Sequence, residues 1–135
     1  MVLEIGKTGT LEKIITEKDI LDCAGVTGDY NPIHTDKEAA VKAGFKGQIA
    51  HGVLSIGLIS AVLGTKMPGP GTILLEQNIK YKRPVYIGDH ITAECKVSKV
   101  INETKQIYHI ETRCYNQNEE NVMEGYAVIK YSSPK

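Results

Sequence analysis

The sequence predicts an α+β domain, an antiparallel sheet curled around one buried helix. Three observations carry that prediction. Val53–Leu63 is apolar on nearly every side, and a helix without a polar face has to be enclosed by protein. The second half of the chain alternates apolar and polar residues with the period of strands. The first half carries helix-capping signals instead.

The elements follow in order. Residues 1–15 read as one or two short strands with a glycine-bearing turn at Gly6 and Gly9. Thr16, with Asp19 three positions on, is a reciprocal cap that opens a helix through Ile20, Leu21 and Ala24. Gly25 and Gly28 end it. Thr35 and Glu38 repeat the signal for a helix Asp36–Ala43, closed by Gly44. The loop 44–50 leads into the apolar helix, whose small residues Gly52, Ser55, Gly57, Ser60, Ala61 and Gly64 allow a sheet to approach. Met67–Gly71 is a Pro/Gly loop. Beyond it, Ile73, Leu75, Ile79 and Tyr81 alternate with polar residues, as do Ile91, Ala93, Cys95 and Val97. Two further strands fall near 105–116 and 122–131, joined by the polar turn Asn116–Asn121.

Length and composition set the bounds. The 135 residues form one domain, 1–135, and 41% hydrophobic content is enough for a core. The net charge of zero, without a basic run, argues against nucleic acid or an anionic membrane as partner. Cys23, Cys95 and Cys114 are odd in number and lack CxxC spacing, which suits reduced thiols in the cytoplasm. Met1–Lys13 contains no signal-like apolar run. The apolar stretch Ile49–Leu63 is interrupted and too short for a bilayer. An open sheet leaves edges and a bare face, which a second copy commonly covers, so a homodimer or a higher oligomer of dimers is expected.

The chemistry concentrates in Gly28-Asp29-Tyr30-Asn31-Pro32-Ile33-His34, where a carboxylate and an imidazole stand five residues apart. Taken alone the pair has two readings. Asp29 could cap local amides around the Asn31-Pro32 turn, with His34 at the surface. Alternatively, the two are proton-transfer groups aimed by a constrained loop. The segment Ala50-His51-Gly52 opens the buried helix, and the amides of that first turn have no intrahelical partner. They suit the oxygen of an anion or a developing enolate. His51, His90 and His109 have no HxH or HExxH spacing, so no metal is expected.

Thr27–His34 followed by Ala39 resembles the hydratase-2 motif of MaoC-like, (R)-specific enoyl-CoA hydratases. Ile49-Ala50-His51-Gly52 is similar to the second block of that family, and Arg83–Asp89 to the third. The resemblance implies the hotdog fold and reversible hydration of a trans-2-enoyl-CoA to the (R)-3-hydroxyacyl-CoA, on short chains such as crotonyl. It makes Asp29 and His34 the catalytic pair and the Gly52 amide the donor to the thioester oxygen. Asn31, His51 and Ser60 would be substrate-side residues. Lys80, Lys82 and Arg83 would meet the phosphates of coenzyme A, or else form a solvated strand face. Coenzyme A enters as the carrier of the substrate, and no cofactor is implied.

Three alternatives differ in partner or chemistry. A 3-hydroxyacyl-acyl-carrier-protein dehydratase shares the motif, with acyl carrier protein as partner. A hotdog thioesterase usually places a carboxylate on the central helix, and Val53–Leu63 has none. A non-catalytic acyl-thioester-binding subunit would not need both Asp29 and His34.

Overall fold

The computed structural model describes residues 2–134. Strand β1 (Thr8–Ile14) leads into α1 (Glu17–Thr27), the short α2 (Pro32–Thr35) and α3 (Lys37–Lys42), then the long α4 (Gly52–Thr65). Strands β2 (Thr72–Tyr81), β3 (His90–Asn102), β4 (Ile107–Tyr115) and β5 (Asn121–Tyr131) complete the chain. The five strands form one antiparallel sheet in the order β1-β3-β4-β5-β2. The chain therefore crosses from one sheet edge to the other between β1 and β2, and α4 makes that crossing over the sheet face.

Ile59, Val62 and Leu63 of α4 pack on the inner residues of the sheet, among them Ile91, Ala93, Cys95, Tyr108, Ile110, Met123 and Ile129. Cys95 and Cys114 are buried in this core. Removal from water pushes their thiols up, each to about 12. Leu63 belongs to this core, while Leu54 and Leu58 are half-buried.

Local signals hold where one cap decides the element. Thr16 and Asp19 form the expected capping box. The helix runs through Gly25 and stops at Gly28, whose φ of 81° lies in the left-handed region that favours glycine. Gly6 sits in a turn, but Gly9 lies within β1. The second cap needs correction. Thr35 caps nothing and closes α2, a turn of helix over the motif itself. Asn31 caps α2 and Asp36 caps α3.

Two expectations about burial also fail. The alternation in β2 breaks at a bulge between Leu74 and Glu76. One extra residue reverses which face a strand presents, so Ile73 and Leu75 are 58% and 52% exposed rather than in the core. Nor is α4 enclosed, because one sheet covers only one side of it. Val53, at 49% exposed, with Gly57 and Ser60, forms an open stripe at helical spacing.

Candidate active site

The Asp29–His34 segment is held by main-chain bonds. The Asn31 N–H donates to Asp29 Oδ1 at 3.1 Å, fixing one carboxylate oxygen and leaving Oδ2 free to face His34. Asn31 Oδ1 accepts from Ile33 N–H at the start of α2. Its side chain thus shapes the helical turn that carries His34. That turn points His34 inward, where the residue is only 7% exposed.

His34 Nδ1 lies 2.7 Å from the carbonyl oxygen of Ile49. A carbonyl only accepts, so Nδ1 carries the hydrogen and Nε2 of the neutral ring presents a lone pair. That Nε2 is 3.8 Å from Asp29 Oδ2. Both atoms are acceptors, and the gap is too long for a direct hydrogen bond. It is the separation a water molecule bridges when it donates one hydrogen to each. Asp29 keeps half its side chain open to solvent, so the pair is reachable.

The three sequence blocks meet here. Gln48 donates to the carbonyl of His34 at 2.8 Å, and Ile49 N–H donates to Ile33. Ala50 N–H donates to the carbonyl of Val85, and Ile49 bridges to Tyr86. The segment 48–50 is therefore a strap between the motif and the turn 83–89. Asp89 closes that turn by accepting from Tyr86 N–H at 2.8 Å. Sequence reading missed Gln48, which acts through its side-chain amide, while Ile49 and Ala50 act through main-chain atoms that any residue carries.

His51 occupies the N-cap position of α4 without capping it. A capping side chain there would contribute about 1 kcal/mol to helix stability. Among the described residues no acceptor meets the Gly52 N–H, so the positive end of α4 stays available for an oxygen. Gly52 also leaves room for a neighbouring ring. A Cβ there would come within 2.6–2.8 Å of the Tyr81 ring, which lies across it. Sequence reading missed Tyr81, whose phenol is pushed up by burial and stays protonated at neutral pH.

The remaining expected residues are placed differently from one another. His51 is 2% exposed with its ring stacked on His34, so it is closed to substrate rather than lining its path. Ser60 lies on the open stripe of α4, beyond Val53 and Gly57. Lys82 and Arg83 are paired with Glu124 and Glu120, each at 3.4 Å. They flank a shallow polar pocket, with Arg113 and Glu119 across it. Lys80 is exposed on the same strand face.

Asp29, His34 and His51 bring three potential ligand atoms within 4.8 Å of one another. The imidazoles are stacked at 3.9 Å and 25°, so their in-plane lone pairs run nearly parallel instead of converging on one ion. The arrangement suits proton transfer better than metal ligation.

A five-stranded antiparallel sheet over a central helix, with a carboxylate and an imidazole side by side near that helix's N-terminus, is the architecture of a hotdog protein. The MaoC like domain matches residues 5–119 of the chain. An (R)-specific enoyl-CoA hydratase of Rhodospirillum rubrum is 44% identical over 92% of this chain and 85% of its own. A 3-hydroxybutyryl-CoA dehydratase of Methylorubrum extorquens is 39% identical over 95% of this chain and 80% of its own. The solved (R)-hydratase from A. caviae superposes with a TM-score of 0.92 at 35% identity, covering 96% of this chain and 98% of that one. The chain belongs to the MaoC-like family and has its hotdog fold. These relatives are hydratases and dehydratases, and the chain is an enzyme of that hydro-lyase class.

Proposed function

We propose that the protein, acting as one domain, adds water reversibly to short-chain trans-2-enoyl-CoA to give the (R)-3-hydroxyacyl-CoA. The observation that carries this is the 3.8 Å gap between two acceptors, Asp29 Oδ2 and His34 Nε2, beside the open N-terminus of α4. A water donating a hydrogen to each acceptor has its lone pairs directed outward, toward the substrate's C3. As the C3–O bond forms, one member of the pair takes a proton from the water. The pair returns a proton to C2, so that H and OH have been added across the double bond. Charge accumulates on the thioester oxygen between these events, and the Gly52 N–H is the donor for it. No cofactor takes part in this scheme.

Coenzyme A is the carrier in this reading, with Lys80, Lys82 and Arg83 toward its phosphates. The Glu124 and Glu120 partners of Lys82 and Arg83 then have to be displaced or shared. The protein works as a homodimer. Exposed Ile73 and Leu75 on an edge strand, with the open Val53–Gly57–Ser60 stripe, support a second copy covering both. Ser60 then faces the acyl chain in the covered space. Among the described residues no helix is long and apolar enough to cross a membrane, and three free cysteines support a reducing cytoplasm.

The test is direct. Crotonyl-CoA supplied to the protein should lose its conjugated enoyl absorbance, and the product should be the (R) enantiomer. An (S) product or no hydration rejects the proposal. Release of free thiol without hydration would indicate a thioesterase, although α4 carries no carboxylate. Preference for the acyl-carrier-protein thioester over the CoA thioester would reassign the carrier.

A further inference from the structure

The His51 side chain touches both members of the pair, and nothing in the proton-transfer scheme uses it. Its Nε2 lies 2.8 Å from the main-chain carbonyl oxygen of Asp29. That carbonyl can only accept, so Nε2 carries the hydrogen. Its ring stacks on His34, with centroids 3.9 Å apart and planes 25° from parallel. It is buried, and its Nδ1 has no partner among the described residues.

From these contacts we infer that His51 is a positioning residue that sets the distance and angle between Asp29 and His34. The inference rests on the hydratase reading of the same site. The tether of His34 to Ile49 runs along a single N–H axis. A ring held by one such bond can still tilt about it, and tilting swings Nε2 out of line with Asp29. Stacking against a flat, immobile neighbour removes that freedom. On the other side, the Asp29 carboxylate is fixed locally by Asn31 N–H. That bond fixes the side chain relative to its own loop, not the loop relative to the helix. The His51 bond to the Asp29 carbonyl supplies the second restraint. It ties the loop to the same α4 N-terminus where the Gly52 N–H stands. One rigid residue therefore references the acceptor pair and the amide donor to a common frame.

The burial of an imidazole with an unpartnered Nδ1 supports this assignment. An apolar residue would fill the space without leaving a polar atom unsatisfied. It could not hold the Asp29 carbonyl. A polar aliphatic residue could hold the carbonyl but could not stack. Only a flat ring with a donor at that edge does both.

Three variants separate the two contacts. His51→Ala removes both, His51→Phe keeps the stack without the donor, and His51→Gln keeps a donor without the stack. Each is assayed for kcat and KM on crotonyl-CoA and for thermal melting. The ring nitrogens of His34 are followed by 15N NMR in the same proteins. A displacement of about 1 Å in catalytic geometry costs on the order of 100-fold in rate. His51→Ala should therefore lose about 100-fold in kcat with KM little changed, and the Phe and Gln variants should each restore part of that loss. The His34 nitrogen shifts should move in His51→Ala.

The inference is overturned if folded His51→Ala keeps kcat within about three-fold of the parent. It is equally overturned if the His34 shifts do not move, or if the loss lies wholly in KM. Should His51→Ala not fold, full parental kcat in both other variants overturns it. If the parent protein itself does not hydrate crotonyl-CoA, the hydratase reading fails instead. The NMR comparison needs no turnover and still decides the positioning role.

Discussion

Replacing Asp29 by Asn is the sharpest test of the proposed acid–base pair, because it exchanges one atom for another of nearly equal size. The structure fixes which atom changes. Asn31 N–H donates to Oδ1 at 3.1 Å, so the amide oxygen of the variant stays there and the NH2 takes the place of Oδ2. A donor then faces the lone pair of His34 Nε2 across a gap of 3.8 Å. It can close that gap and bond the ring directly, which occupies the base and expels the bridging water. Both acceptors are lost in one substitution. Positioned proton transfer is worth roughly 10²–10⁴-fold, so kcat should fall by at least about 100-fold, or about 2.7 kcal/mol or more of activation free energy. Stability should change by no more than about 0.5 kcal/mol, since an exposed surface position is replaced and the Asp29 side chain is 51% exposed. The assay is the decay of crotonyl-CoA absorbance, with a thermal melt as control. A folded variant retaining more than about a tenth of the parental rate would refute the shared-water scheme.

The two buried thiols predict a pH window. Burial, joined at Cys95 by the nearby Cys114 and Glu94, holds both from 9.0 up to about 12. A raised pKa in the folded state means full stability below 9 and progressive loss between 9 and 12, at about 1.4 kcal/mol per pH unit for each thiol. Urea titrations at pH 8 and pH 10 should differ by roughly 3 kcal/mol, and a Cys95→Ala/Cys114→Ala protein should lose that difference. Gly125→Ala would put a Cβ 1.9 Å from the main-chain oxygen of Asn78 on the neighbouring strand. It should cost about 3 kcal/mol or more in chemical denaturation. In Gly52→Ala the obstacle is the tip of the half-exposed Tyr81 ring, which can swing aside, so the same measurement should show about 1 kcal/mol or less. Thr16→Ala removes one half of a capping box and should lower stability by about 1 kcal/mol, read as a melting point a few degrees lower.

What could be read along the chain depended on how local the cause was. Thr16 with Asp19 is settled within three residues, and it folds as read. The cap at Thr35 looked equally sound. Pro32 and the Asn31 cap instead begin a helical turn earlier and shift the true cap to Asp36. Competing signals one residue apart can be ranked only once the chain direction is known. The β2 pattern failed for a similar reason. The bulge at Leu75 is set by pairing with β5 more than 50 residues away, and one extra residue inverts the face of everything before it.

Sequence by itself determined the ingredients. A carboxylate and an imidazole share a constrained loop, an apolar helix without acids begins at Gly52, and strands fill the rest. These are local matters of residue type and period. Tertiary structure alone decided how the ingredients address each other. It set the 3.8 Å between Asp29 and His34, brought Tyr81 over Gly52, and buried His51 against the His34 ring and the Asp29 carbonyl. Asp29 and His51 stand 22 residues apart in the chain. Their contact exists because the 48–50 strap is pinned between the motif and the turn 83–89, and the Ile49 and Ala50 part of that pinning uses backbone groups every residue type carries.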